Sequence, residues 1–346
     1  MTGSGTALDP YIISDVNDLQ AMEDDLDAYY ELGCDINASG TATWNGGAGF
    51  VPIGQSSPYF TGHFDGKDYT ISALTINRPA TDCIGLFGIT DGADIQNVSL
   101  ISVSIHGHDF TGALVGLIVG DDVILDCSAS GAVIGNDGVG GLIGYAVSSS
   151  ITIADSFSSC SVTSDAAAGF ADEVGGFIGY GTGIDVDRCY ATGDVTASGD
   201  DVGGFIGHWG WGTINQCFAT NNVSAPDYSE NFAIGGFVGW ADGIAKDCYA
   251  KGSVTTSGDY AGGFSGVSPA SMENCYSTGA VSGVGSNVGG LNGNEGGDVI
   301  NCFWDTQTSG QATSEGGTGK TTAQMKRKQT FVGWNFSDIW GSGERE

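Results

Sequence analysis

A short block closing on glycine returns along most of the chain at nearly constant spacing, and it limits the fold more than any other feature. The copies Val139-Gly-Gly-Leu-Ile-Gly144, Val174-Gly-Gly-Phe-Ile-Gly179, Val202-Gly-Gly-Phe-Ile-Gly207, Ile234-Gly-Gly-Phe-Val-Gly239, Ala261-Gly-Gly-Phe-Ser-Gly266 and Val288-Gly-Gly-Leu-Asn-Gly293 share one register. Gly112-Ala-Leu-Val-Gly116 and Gly85-Leu-Phe-Gly88 continue it upstream in weaker form. The closing glycines Gly88, Gly116, Gly144, Gly179, Gly207, Gly239, Gly266 and Gly293 are 28, 28, 35, 28, 32, 27 and 27 residues apart. About ten residues after each comes a second block, as in Arg188-Cys-Tyr-Ala-Thr-Gly-Asp-Val195, Asp247-Cys-Tyr-Ala-Lys-Gly-Ser-Val254 and Asn274-Cys-Tyr-Ser-Thr-Gly-Ala-Val281. Gln216-Cys-Phe-Ala-Thr-Asn-Asn-Val223 and Asp126-Cys-Ser-Ala-Ser-Gly-Ala-Val133 are near copies, and Asp155-Ser-Phe-Ser-Ser-Cys-Ser-Val162 fits with Ser156 in the Cys column.

Self-similarity at this period marks a repeat architecture. Each half-unit is rich in Val, Ile, Phe and Tyr and bounded by Gly, Asp, Asn and Ser, which reads as strand and turn rather than helix. A coil of about 28 residues cannot bury its own apolar side chains, so it must stack on the coil before it at strand spacing, roughly 4.8 Å. The expectation is an all-β, right-handed parallel β-solenoid of about eight repeat coils, a rod of about 40 Å before its caps. Gly-Gly pairs suit sharp corners, where φ can be positive, and tight backbone approach. Solenoid ends must differ from the middle to avoid open sheet edges. Asp15 to Glu23 reads as a short helix with an acidic start, and Thr321-Thr-Ala-Gln324 resembles a capping box opening a second. Trp334, Phe336 and Trp340 are expected to plug the last coil. The chain is thus expected to be a single domain, with residues 1–80 as N-terminal cap and first coils, 81–310 as repeats and 311–346 as C-terminal cap.

The paired Gly-Gly-(Phe/Leu)-(Ile/Val)-Gly and Asn/Asp-Cys-Tyr-(Ala/Ser)-Thr-Gly-x-Val blocks resemble those of the GLUG-motif repeat proteins. So do Phe60-Thr-Gly-His-Phe-Asp-Gly-Lys-Asp-Tyr-Thr-Ile71 and Phe303-Trp-Asp-Thr-Gln-Thr-Ser-Gly310 leading into Gly316-Gly-Thr-Gly-Lys-Thr-Thr322. The resemblance covers nearly the whole chain. It implies a β-helical region of a large surface protein, adhesins included, or an accessory region beside the protease domain of immunoglobulin A peptidases. It supplies no catalytic residues to carry over, so it speaks to fold more strongly than to function.

Composition narrows the partners. With 60 Gly but only 6 Pro and no three-residue period, collagen is excluded. A net charge of −31 with ten Lys and Arg repels phosphate backbones and anionic lipid alike. No apolar run is long enough to span a bilayer. Met1-Thr-Gly-Ser-Gly lacks the basic start and apolar stretch of a signal peptide, so the chain is expected to be an excised or processed segment of a larger extracellular or cell-surface protein. Its expected partner is a host or neighbouring-cell surface glycan or protein, or another copy of itself; nucleic acid and membrane insertion are not expected.

Four constellations invite chemistry. The column Cys127, Cys189, Cys217, Cys248, Cys275 and Cys302 lacks CxxC spacing or paired His, and nine cysteines are an odd number; inward thiols acting as small core hydrophobes are expected. The same alternation turns Tyr190, Phe218, Tyr249, Tyr276 and Phe303 outward, with Thr192, Thr220 and Thr278 following. This stripe is either a self-stacking ladder or a surface for stacking on sugar rings or a protein. Asp172, Glu173, Asp200, Asp201, Asp227, Glu230 and Asp259 gather near two longer loops, 163–173 and 224–233; this rim is a candidate for Ca²⁺, although solvent and salt also relieve it. Asp185, Asp187 and Arg188 form a strand-edge cluster which a polysaccharide-degrading enzyme would need at the floor of a groove, against the plainer reading of a solvated strand face. Gly319-Lys320-Thr321 lacks the upstream glycine of a phosphate loop, since Ser314 stands there. No cofactor and no enzymatic activity are expected. A passive extracellular stalk or adhesive segment heads the functional readings, followed by a carbohydrate-binding module.

Overall fold

In the coil spanning residues 199–225, Gly199–Gly203 forms one face. Ile206–Trp209 and Gly212–Asn215 form a second, and Phe218–Ala219 with Val223–Ala225 a third. The computed structural model describes residues 1–165, 171–226, 232–294 and 296–341. Each strand pairs in parallel with its counterpart one repeat later. Ile178 meets Ile206, which meets Val238; Tyr190 meets Phe218, which meets Tyr249; Val174 meets Val202, which meets Ile234. Three parallel sheets of 17, 16 and 6 strands result. The molecule is an all-β parallel solenoid, as the repeat demanded. Stacking begins upstream of the first glycine block, where Tyr11–Ile13 pairs with Tyr29–Leu32, which pairs with His63–Asp65.

One core runs through the rod, from Ile13 to Trp304. Register makes it a set of columns. Phe177, Phe205, Phe237 and Phe264 stack face to face inside, with centroids 4.7–4.8 Å apart. Beside them the column Ile178, Ile206, Val238 turns polar at Ser265 and Asn292, where the Ser265 hydroxyl donates to Asn292 Oδ1 over 2.8 Å. Both residues are buried, so pairing them avoids an orphaned polar group.

The glycine pairs of the repeat serve one of the two roles expected of them. None of the pairs in the repeat blocks from Val139 to Gly293 has positive φ. Their role is close approach: a Cβ on Gly176 would sit 2.2 Å from the Gly204 carbonyl oxygen, and one on Gly204 would sit 2.2 Å from that of Gly236. At the turn before the Cys position, positive φ falls on residues that are not glycine. Asn97, Asp126, Asp155, Arg188, Gln216, Asp247, Asn274 and Asn301, which directly precede the Cys position, have φ of 51–57°. Asn and Asp tolerate that left-handed conformation best after glycine, which explains their prevalence there.

The caps differ from the repeats. Asp15 accepts the Asn17 and Asp18 amides and opens the helix Val16–Gln20, whose Leu19 lies over the core with Met22 from the following turn. Thr2 pairs antiparallel with Ile12 and covers the first sheet edge. At the other end the capping box at Thr321 and Gln324 opens the helix Thr322–Met325. Trp334, Phe336 and Trp340 do not plug the last coil. The seal there is Trp304, which ends the inward small-residue column Ala191, Ala219, Ala250, Ser277, backed by the strand Thr318–Lys320. The tail beyond it runs back along the side of the rod. The last coil is closed by its own Trp, which leaves the tail aromatics to bury themselves against the outer wall.

Candidate functional site

Each αL residue before the Cys position turns the chain so that the next side chain points inward and the one after it outward. The Cys position therefore enters the core. There the turn has removed the usual carbonyl partner, and the side chain replaces it. The Cys189 amide donates to Cys217 Sγ over 3.3 Å, the Cys275 amide to Cys302 Sγ over 3.3 Å, and the Cys127 amide to Ser156 Oγ over 3.0 Å. Ser156 substitutes for Cys because both offer an acceptor of similar reach. All nine cysteines are free. Burial pushes the Cys127 thiol up to about 12 and drives Cys217 and Cys275 well above their ordinary value.

The next position forms an outward ladder of Phe157, Tyr190, Phe218, Tyr249, Tyr276 and Phe303. Its first four rings are parallel within 2–3° with centroids 4.7–4.8 Å apart, and Tyr276 follows at 5.1 Å. Thr192 and Thr220 beside it are exposed. Parallel rings this close must lie face over face, so Tyr190, Phe218 and Tyr249 have a ring against each face and present their edges outward. The tail covers the far end. Phe331 lies 5.3 Å from Phe303 at an interplanar angle of 86°, Trp334 lies 6.1 Å from Tyr276, and Trp340 lies 5.7 Å from Tyr276. The Trp334 indole donates to the Asn301 carbonyl over 3.1 Å, and that of Trp340 to Asp247 Oδ1 over 3.0 Å. Tyr249 and Phe303 are 8% exposed beneath it, whereas Phe157, Tyr190 and Phe218 are half-buried.

The acidic rim is only partly assembled. Glu173 and Asp201 are direct cross-strand neighbours, but the next residue in register is Ala233. Asp201 Oδ2 lies 2.7 Å from His208 Nδ1. Asp200 and Asp259 hold equivalent places two coils apart, with Phe232 between them. Asp227 and Glu230 lie outside the described residues, as does the side chain of Asp172, whose backbone lies in the strand Ala171–Gly175. Sequence reading missed the upstream continuation of this column, Asp82, Asp109 and Asp137, which the same spacing carried. Among the described residues Asp82, His108 and Asp109 bring three potential ligand atoms within 4.8 Å of one another. His108 Nδ1 lies at hydrogen-bond distance from Asp82, 2.8 Å, and that contact raises the imidazole above its ordinary value. A second outer column was also missed. Tyr145, Tyr180, His208 and Trp240 directly follow the closing glycines, and Tyr145 and Tyr180 stack at 4.3 Å. Burial and the neighbouring Glu173 carboxylate raise both tyrosines.

In the Asp185–Asp187–Arg188 cluster, Asp185 and Arg188 are exposed on a strand face. Arg188 clamps Asp155 with two nitrogens at 2.6 Å and also touches Asp187. Asp185 Oδ1 accepts the Thr213 amide, and Asp187 Oδ1 accepts from Asn215. A shallow hollow of about 410 Å³ at the N-terminal cap is lined by Gln20, Glu23, Trp44, Asn45 and Val51. Its polar groups already hold the fold: Gln20 exchanges hydrogen bonds with the Val51 backbone, and Glu23 accepts the Gly54 amide.

The family model of the GLUG motif matches residues 172–196 and 230–255, the two-part unit of glycine block, αL turn, Cys and outward ring. The chain carries GLUG repeats. The chain is similar to part of Halomucin from Haloquadratum walsbyi, 43% identical over 130 residues, which is 34% of this chain and 1% of that protein. A protein of Evansella cellulosilytica named as Gly-rich and membrane is 32% identical over 124 residues, 35% of this chain and 14% of that protein. The chain therefore spans a small fraction of these relatives. In fold it is similar to a chain from Bacteroides ovatus assigned as an immunoglobulin A1 protease, with a TM-score of 0.59 and 21% identity over 96% of this chain and 90% of that one. An IgA1 protease structure matches with a TM-score of 0.53 and 16% identity, over 93% of this chain and 24% of that one. Among the described residues no helix is long and apolar enough to cross a membrane.

Proposed function

We infer that the chain is a non-enzymatic rod segment of a larger extracellular or cell-surface protein, and that it works by presenting its outer columns to a partner. The observation that carries this reading is the division of each repeat: inward positions fill one continuous core, and outward positions line up as repeated rows of rings, hydroxyls and carboxylates. Chemistry at a point needs side chains from different elements to converge, whereas a parallel stack multiplies one side chain along a line. Kinship in sequence with a mucin-named protein and a membrane-named protein adds support. The acidic rows keep such a rod soluble and separate from its neighbours, and they need no bound cation in this reading. The test is adhesion. Beads bearing the purified chain should be retained on cells or on a surface of its own copies, and charge-reversing substitutions in one outer row should abolish retention. Turnover of a polysaccharide or protein substrate by the chain would overturn the reading.

A further inference from the structure

Four Asn-x-Ser triplets occur in the chain: Asn37-Ala-Ser39, Asn97-Val-Ser99, Asn222-Val-Ser224 and Asn335-Phe-Ser337. In an exported protein this triplet is the acceptor signal for an N-linked glycan. A three-letter signal recurs by chance in a chain rich in Asn and Ser, so the folded environment has to select among the four. An acceptor must hold its sugar in solvent without parting elements that the fold needs together.

Three of the four are engaged. Asn97 is half-buried in the αL row, and its Nδ2 donates to Asp65 Oδ1 over 2.9 Å. Asn222 ties three coils: Nδ2 donates to Asp194 Oδ1 over 3.1 Å, while Oδ1 accepts the Ser253 hydroxyl over 2.7 Å. A sugar on either nitrogen would wedge stacked coils apart. Asn335 is exposed, but its Nδ2 donates to Asp338 Oδ2 over 3.0 Å, inside the turn whose Asn335 carbonyl accepts the Trp340 amide. Asn37 differs. It and Ser39 are exposed, while Ile36 and Ala38 are buried, so strand alternation aims Asn37 outward. Its Oδ1 accepts the Ser39 amide over 3.0 Å, an Asx turn that leaves Nδ2 without a hydrogen-bond partner among the described residues. A Cβ built on the neighbouring Gly40 would meet nothing within 4 Å, so the space beside the triplet is open.

The position supplies a purpose. Ile36–Asn37 is the first strand of the 16-stranded sheet, paired with Ile71 and Ser72 on one side. Among the described residues no strand pairs with its other side. Thr2 covers the first edge of the 17-stranded sheet, but this edge has no such cover, and an open edge is a template for pairing with another chain. We propose that Asn37 is an N-glycosylation site whose glycan shields this edge. The proposal rests on the reading above, that the chain belongs to an exported surface protein. The donor is an oligosaccharide joined to a polyprenol through phosphate or diphosphate. Asn37 Nδ2 bonds to its anomeric carbon, and the bond from that carbon to the phosphate oxygen breaks. The polyprenyl phosphate leaves with the electron pair, and Nδ2 gives one proton to a base of the transferase.

The test is secretion of the full chain from glycosylating eukaryotic cells, with an added C-terminal Asn-Ala-Thr tag as internal control. Trypsin puts each triplet on its own peptide, because Lys67, Arg188, Lys246 and Lys328 separate them. Mass spectrometry should find a glycan on residues 1–67, lost in both Asn37→Gln and Ser39→Ala, and none on the peptides of Asn97, Asn222 and Asn335. By light scattering, Asn37→Gln should self-associate at a several-fold lower concentration than the glycosylated chain. A bare Asn37 beside a filled tag, or glycans on the other three triplets, would overturn the site; equal association would overturn the edge role. If the chain adheres to surfaces while Asn37 stays bare, the rod reading stands and this proposal falls. If Asn37 is filled and adhesion is absent, the reverse holds.

Discussion

At the scale of the single residue, the Cys position shows how a buried polar atom is handled when a turn breaks a ladder. Its amide has lost a carbonyl and gained a sulfur, as in Cys189 and Cys217. A buried amide left without a partner costs about 1–3 kcal/mol. Cys217→Ser should therefore cost less than about 1 kcal/mol, since Ser156 already does this work, whereas the apolar Cys217→Val should cost about 1–3 kcal/mol; urea melts of the two variants decide between them. Asp122 is the opposite case. Its Oδ1 accepts the Gly92 and Ala93 amides at 2.7 and 3.0 Å, but Oδ2 is buried without a hydrogen bond. Burial raises its carboxyl to about 6, against the pull of those amides. The folded state thus keeps a proton that the unfolded chain releases near pH 4, so stability falls as pH rises from about 4 to about 6, by on the order of 2–3 kcal/mol. Asp122→Asn keeps an acceptor for both amides and has the Thr90 side chain beside its new N–H₂ group. It should match the parent near pH 4 and exceed it by about 1–2 kcal/mol at pH 7. Equal slopes of stability against pH in the two proteins would refute this.

At the scale of the element, the strand was read correctly and the glycine corner in part. The alternation Cys189, Tyr190, Ala191 gives in, out, in from strand geometry alone, and the structure follows it. The glycine pairs were expected to serve both a left-handed corner and close backbone approach, and the structure shows the second. The turn sits at the Asn/Asp position instead, and glycine serves where coils touch backbone to backbone. The tail is the other surprise at this scale. Its rings promised burial but did not say where, because an end cap and a side strap need the same hydrophobic residues. As a strap it should open locally. Trp334→Ala should leave the thermal midpoint of the rod within about 2 °C, while trypsin cleavage after Lys326, Arg327 and Lys328 accelerates about ten-fold, since local opening and not global unfolding exposes the site. A large fall in midpoint would make the tail part of the cooperative core.

At the scale of the molecule, stacking sets both the stability and the electrostatics. Each coil contacts its neighbours, so stability accumulates along the axis. The same register piles carboxylates into rows, as at Asp82, Asp109 and Asp137. Repulsion along such rows is relieved by screening. The melting temperature should rise by several degrees between about 0.05 and 2 M NaCl, and CaCl₂ at matched ionic strength should add nothing further. A sharp extra stabilisation by millimolar Ca²⁺ would identify a cation site on the rim and overturn the view that salt alone suffices.

The repeat period by itself determined that the chain is a stack of parallel coils, which side chains share a column, and which columns face inward. A constant spacing with alternating polarity has one way to bury its apolar half, so these follow without coordinates. Tertiary structure decided the rest: that outward rings spend their faces on one another, and that the tail lies along the wall. These depend on distances between residues with no fixed separation in sequence, or on ring angles that no pattern of letters encodes.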